Sequence, residues 1–227
     1  MNQPFMIHPF VSSAHELLKG SSIPYALCGG YAIELFLSQS FRKHIDIDIN
    51  IARRDKDRII AFMMAQGWDV FEFCGDGLMH QIMNIGDQKK SDAHLFCHKH
   101  SDYVRLFEHN IPDYYYLDYN PDDLQDFTYI DIMVSPISDG YLRYEHNPQI
   151  KRECGKAVLY RGGIPYLAPE IILLYKSTEL RRFGNQADFE HTLPLLSGEQ
   201  RAWLYDALVM ENADGHPWTA AIRELSV

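Results

Sequence analysis

The chain has 227 residues, of which 46% are hydrophobic and 23% charged, the composition of a folded globular protein and not of a disordered, collagen-like or coiled-coil one. Its 21 Lys and Arg against 31 Asp and Glu leave a formal charge of -10, a field that repels polyanions unless a local basic patch overrides it. The N-terminal residues lack the basic start and apolar run of a signal peptide, and no stretch reaches the roughly 18 apolar residues of a membrane span, so a cytoplasmic protein without membrane partners is expected. Cys28, Cys74, Cys97 and Cys154 stand at wide, irregular spacings with no CxxC pair, which reads as reduced, mostly buried thiols.

In chain order, strands are predicted over Ile23 to Cys28, His44 to Ala52, Trp68 to Cys74, Leu78 to Ile85 and Phe127 to Val134, from their length and β-rich composition. They alternate with helical runs, starting with Tyr31 to Leu37. The pattern changes near Asn147 and Pro148. Beyond it comes one hairpin, Ala157 to Leu167, turning at Gly162 and Gly163. A helix follows from Pro169 through Lys176, and Ser197 with Gln200 forms a capping-box pattern ahead of Trp203 and Leu204. The fold class is therefore α/β (α+β), with a mixed-sheet domain over residues 1–150 and a mainly helical domain over 151–227.

The run from Phe41 to Asn50 carries the most chemistry. Ile and Asp alternate, so on a strand Ile45, Ile47 and Ile49 face one way while Asp46 and Asp48 face the other, their Cα atoms roughly 6.6 Å apart. Two carboxylates so placed can converge on a divalent ion or bracket a pair. The alternative is an amphipathic strand with a solvated acidic face, but aspartate is a poor strand former, and two inside an Ile-rich strand call for another reason.

Upstream, Gly29 and Gly30 lie between a strand and a helix. That is a turn in most proteins, and a phosphate cradle where backbone N–H groups and the helix N-terminus converge. Arg42, Lys43 and His44 then precede the carboxylates. Within twenty residues the chain thus offers what a triphosphate and its Mg²⁺ need together. Downstream, Asp131 repeats the pattern between Ile130 and Ile132; beside the first strand it would complete a three-carboxylate site, sharing a metal or acting as a general base, and elsewhere it would be a solvated Asp.

These residues, Gly29-Gly30-Tyr31-Ala32, Arg42, His44, Asp46-Ile47-Asp48 and Ile130-Asp131, resemble the nucleotidyltransferase superfamily of DNA polymerase β-like fold. The nearest resemblance is to the aminoglycoside 2''-adenylyltransferases and lincosamide nucleotidyltransferases, extended by Tyr166 to Lys176 and by Asp188-Phe189. Where such proteins often carry Arg-Pro-Lys-Asp, this chain has Arg182-Phe183-Gly184-Asn185, so any contact made there by the Lys or Asp is lost.

The resemblance implies Asp46, Asp48 and Asp131 as Mg²⁺ ligands and catalytic carboxylates, and Gly29 and Gly30 as the phosphate-binding turn. Arg42, His44 and Lys176 become nucleotide contacts, with the active site between two domains. It implies transfer of a nucleoside monophosphate, AMP from ATP, to a hydroxyl of a small acceptor. The stretch from Glu108 to Asp131 is acidic and Tyr-rich and has no Lys or Arg, which suits a cationic acceptor such as an aminoglycoside and disfavours nucleic acid, or else is a solvated acidic loop. A toxin-type transferase acting on RNA or protein and a catalytically silent nucleotide-binding domain are the alternatives. His94 and His98 stand at i, i+4 spacing but lack a third ligand, which favours hydrogen-bonded histidines over zinc.

Overall fold

A computed structural model of the chain describes residues 5–90, 92, 94–100, 104–119, 127–182 and 184–225. It divides into two compact units, one of residues 6–27 and 43–137, the other of residues 1–5, 28–42 and 138–227.

In the first unit eight strands, numbered in chain order, form one mixed sheet. Their order across it is β1 (Tyr25–Leu27), β2 (Asp48–Ala52), β8 (Tyr129–Ser135), β5 (Leu95–His98), β3 (Asp69–Gly75), β4 (Leu78–Gln81), β7 (Tyr114–Tyr119) and β6 (Val104–Glu108). β2 and β8 run parallel, with Asp48 opposite Asp131 and Ala52 opposite Ser135. The other neighbours are antiparallel. Ile49, Ile51, Ile130, Ile132 and Val134 are buried, and each such side chain contributes about 1.5–3 kcal/mol. Helix α1 (Pro9–Lys19) starts on a proline with the His8 ring accepting from the Phe10 N–H, and buries Val11, Ala14 and Leu18 at helical spacing. Helix α3 (Lys56–Ala65) packs Ile59, Ile60 and Met63 and contacts β3.

The strand expected over His44 to Ala52 begins only at Asp48. β1 ends at Leu27, opposite Ile49, and the β2–β8 ladder starts at Asp48 and Asp131, so among the described residues the segment before Asp48 joins no strand ladder, although the Asp131 N–H donates to the Ile47 carbonyl (2.9 Å). The segment from Leu78 to Tyr119 supplies β4 to β7. His98 lies in β5 and is buried, so the helical spacing with His94 does not exist; on an extended chain the two Cα atoms lie about 13 Å apart. In the acidic segment, Arg105 of β6 stands opposite Asp118, while Asp122, Asp123 and Asp126 lie outside the described residues.

The second unit holds α2 (Gly29–Leu37), the antiparallel pair β10 (Tyr141–Arg143) and β11 (Lys151–Glu153), the short α4 (Cys154–Ala157), and the hairpin β12 (Val158–Arg161) and β13 (Ile164–Leu167). β9 (Ile137–Ser138) lies where the chain passes between the units. Four helices follow: α5 (Pro169–Ser177), α6 (Asn185–Thr192), α7 (Gly198–Glu211) and α8 (Pro217–Glu224). The expected capping box of Ser197 and Gln200 is present. Leu173, Leu174, Phe189, Leu204, Leu208 and Trp218 make the core, with Phe189 stacked on Trp218 at 4.1 Å. Buried Glu170 joins the helices to β11, accepting both Arg152 Nε (3.0 Å) and Arg152 Nη2 (2.7 Å) while Gln200 bonds its other oxygen. Among the described residues no helix is long and apolar enough to cross a membrane. The four cysteines are free thiols, Cys28 and Cys97 buried, Cys74 and Cys154 half-buried.

Candidate active site

The parallel pairing of β2 and β8 decides where the carboxylates go. With Asp48 opposite Asp131 the two side chains leave the same face of the sheet, and Asp46 reaches them from the extended segment that leads into β2. One oxygen from each of Asp46, Asp48 and Asp131 lies within 4.8 Å of the other two, and all three residues are half-buried. The polar face continues down the strands, where Asn50 Nδ2 donates to Ser135 Oγ at 2.6 Å. The Tyr129 hydroxyl donates to the Ile45 carbonyl and fixes the segment carrying Asp46 to β8.

Three carboxylates this close repel one another unless a cation or a proton lies among them. The donor set is all carboxylate oxygen, which suits a hard divalent cation such as Mg²⁺ better than a soft metal.

In the other unit, Gly29 and Gly30 are the first two residues of α2 itself, not a turn ahead of it. Gly29 has φ 63°, a left-handed conformation that glycine tolerates, and Gly30 is buried. Cys28, at the N-cap, makes no side-chain cap hydrogen bond, and no acidic residue occupies the first turn. The first-turn N–H groups of α2 thus face no carboxylate of their own helix.

Arg42 and Lys176, the two expected triphosphate contacts of this unit, meet at a residue that sequence reasoning noticed only through the resemblance. Asp188 is fully buried in the first turn of α6. Arg42 grips both its oxygens, Nε to Oδ1 at 2.7 Å and Nη2 to Oδ2 at 2.8 Å, and Lys176 Nζ lies 2.8 Å from Oδ2. Burial pushes the Asp188 carboxyl up, but the hydrogen bonds and charges of Arg42 and Lys176 outweigh it and hold it below the usual range. Lys176 also donates to Asn185 Oδ1 (3.2 Å), whose amide returns bonds to the carbonyls of Lys176 and Glu179. The departure at Gly184-Asn185 acquires a physical sense here. Gly184 has φ 89°, and a Cβ there would meet the Arg42 guanidinium at 3.0 Å.

His44 is half-buried, two residues before Asp46, and Lys43 is exposed. One sequence signal for Asp188 existed: an acid in the first turn of a helix, where the helix dipole favours it. Its two cationic partners lie 146 and 12 positions away in the chain, and no local pattern names them.

Residues 11–95 match the family model described as aminoglycoside-2''-adenylyltransferase. Three solved structures are similar over most of the chain. The solution structure of the antibiotic-resistance factor ANT(2'')-Ia has 15% identity and a TM-score of 0.50, covering 96% of this chain and 94% of its own. The crystal structure of ANT(2'')-Ia in complex with adenylyl-2''-tobramycin has 14% identity and a TM-score of 0.50, covering 89% and 98%. The lincomycin-bound lincosamide antibiotic adenylyltransferase LnuA has 14% identity and a TM-score of 0.49, covering 83% and 97%. No curated protein matches. The likeness to the aminoglycoside-2''-adenylyltransferase family model lies in residues 11–95, and the likeness to the ANT(2'')-Ia structures is one of fold. The mixed α/β architecture expected from the sequence is present and is shared with the ANT(2'')-Ia structures, and the family-model match spans Gly29, Gly30, Arg42, His44, Asp46 and Asp48 but not Asp131, Lys176 or Asp188.

Proposed function

We propose that the chain transfers AMP from ATP to a hydroxyl of a small cationic acceptor such as an aminoglycoside. The observation that carries this reading is the register of β2 and β8, which gathers Asp46, Asp48 and Asp131 within 4.8 Å. The match to the aminoglycoside-2''-adenylyltransferase model over residues 11–95 supports the acceptor class.

Asp46, Asp48 and Asp131 would hold Mg²⁺, which when bound neutralises the carboxylates and the triphosphate and stabilises attacking and leaving oxygens. Asp131 has a second role in this reading. It takes the proton of the acceptor hydroxyl, whose oxygen attacks the α-phosphorus; the bond from that phosphorus to the bridging oxygen breaks, and pyrophosphate leaves with the electron pair. The backbone N–H groups at Gly29 and Gly30 bind phosphate oxygens, and Arg42, His44 and Lys176 balance the charge of the triphosphate. Because Asp188 already shares one negative charge between Arg42 and Lys176, the pair meets the triphosphate with about one net positive charge in a fixed orientation.

The test is pyrophosphate release from each of the four nucleoside triphosphates with Mg²⁺, across a panel of aminoglycosides and lincosamides. Acceptor-dependent release that Asp46→Ala abolishes is the expected result. Nucleotide binding without release for any acceptor would overturn the small-molecule reading.

A further inference from the structure

The three carboxylates differ in what holds them. Asp48 and Asp131 stand opposite each other in the parallel ladder of β2 and β8, whereas Asp46 lies on the segment before β2, which joins no strand ladder among the described residues. The mutual repulsion of the three therefore acts first on Asp46, the donor whose backbone no ladder fixes.

Two hydrogen bonds restrain that backbone, one on either side of Asp46, and both donors belong to β8. The Asp131 N–H donates to the Ile47 carbonyl at 2.9 Å, and the Tyr129 hydroxyl donates to the Ile45 carbonyl. The first is a main-chain bond that any residue but proline at position 131 would supply. The second depends on a single side-chain oxygen, contributed 84 positions along the chain.

The Tyr129 ring is locked in place. It is 8% exposed and stacks on Phe96 with centroids 5.4 Å apart and planes at 29°, and Phe96 itself stands opposite Asp131 in β5. Both rings belong to an apolar cluster with Phe71, Met79 and Val104, against which Ile45 also packs. A phenylalanine would fill the same place, so packing does not call for the hydroxyl. A phenol O–H in such surroundings needs a partner, and here the partner is the carbonyl that adjoins Asp46.

We propose that Tyr129 is a positioning residue for the divalent-cation site: its hydroxyl holds Asp46 beside Asp48 and Asp131 in advance, so that binding does not have to order the segment. This rests on the reading of the three carboxylates as metal ligands given above.

The test uses the full chain and counts bound Mn²⁺ by loss of the free-ion electron paramagnetic resonance signal, in the parent, Tyr129→Phe, Asp46→Asn and the double variant. Tyr129→Phe keeps the ring and weakens Mn²⁺ binding about tenfold, the low end of the loss when a group that orients a metal ligand is removed. With Asp46 replaced the hydroxyl has no ligand to position, so the double variant binds as Asp46→Asn does. Hydrogen exchange in EDTA supplies a readout without metal: the peptide spanning residues 43–47 exchanges faster in Tyr129→Phe, while peptides from β2 and β8 exchange as in the parent. Parent-like Mn²⁺ affinity in Tyr129→Phe overturns the proposal, as does an equal further loss on the Asp46→Asn background, which would mean that the hydroxyl acts on the site as a whole. Unchanged exchange at 43–47, or faster exchange across β2 and β8 alike, overturns it too. A parent that binds no Mn²⁺ overturns the metal reading of the carboxylates and the proposal with it, whereas binding by the parent with no change in the variant overturns the proposal alone.

Discussion

Two clusters of charge, one in each unit, use aspartate in opposite ways. On β2 and β8, Asp46, Asp48 and Asp131 bring like charges together at half-buried positions. In the helical unit, fully buried Asp188 brings unlike charges together, one carboxylate binding Arg42 in bidentate fashion and Lys176 besides. The first arrangement sets like charges against one another, and in the proposed function a divalent cation relieves that repulsion. The second satisfies itself and fixes two side chains that would otherwise repel. Neutralising an acid should therefore have opposite effects on stability in the two places.

The largest effect is expected at Asp188. Asp188→Asn keeps the shape but leaves Arg42 and Lys176 facing each other without their anion, and breaking a buried pair of this kind costs about 3–5 kcal/mol. Chemical denaturation should show the midpoint falling with an unchanged slope. A loss within about 0.5 kcal/mol, the range of ordinary surface substitutions, would mean that Asp188 is not the hub its geometry describes.

Gly184 sharpens the same comparison from the backbone side. Gly184→Ala puts a Cβ at 3.0 Å from the Arg42 guanidinium and forces a left-handed φ of 89° on an alanine, at an expected cost of about 1–3 kcal/mol. Combined with Arg42→Ala, the clash disappears and only the backbone strain remains, so the double-mutant cycle should show coupling between the two residues.

How much of this was legible beforehand follows from the range of each interaction. The alternation of Ile with Asp46 and Asp48, and again around Asp131, is local, and the sheet needed only to pair the two segments for the triad to form. That pairing joins residues 83 positions apart, and the sequence offered it as a condition. The local pattern also overran: Ile45 and Ile47 look like strand residues, but a strand needs neighbours, and β1 ends before it can supply them. Asp188 stood out only through the family resemblance, and its role depends on Arg42, which only the folded chain brings near.

Acid and base should then separate two buried carboxylates of the helical unit by the sign of their contribution. Asp188 is held below the usual range, so its stabilisation is complete above the unfolded carboxylate value and is lost as pH falls through the folded one. Glu170 is shifted the other way: burial pushes it up, and Arg152 and Gln200 only partly offset this. Its folded form binds a proton more readily than the unfolded chain, so its contribution declines as pH rises from the unfolded value to the folded one. Asp188→Asn should flatten the acid limb of a plot of melting temperature against pH, and Glu170→Gln should flatten the decline above it. The same limb flattening in both variants would show that the two carboxylates are not shifted in opposite directions.

The smallest effect on stability is expected where the effect on chemistry is greatest. Asp46→Asn removes one of three mutually repelling charges at a half-buried position that packs no core, so without Mg²⁺ the variant should be about 0.5 kcal/mol more stable than the parent, or equal to it, while nucleotidyl transfer is lost. Adding Mg²⁺ should reverse the order, because the parent gains stability in proportion to its occupancy and the variant gains less. Melting temperatures of both proteins with and without Mg²⁺ decide this. A variant less stable than the parent in the absence of metal would show that Asp46 is held by interactions within the fold, and the contrast with Asp188 would then be one of degree and not of kind.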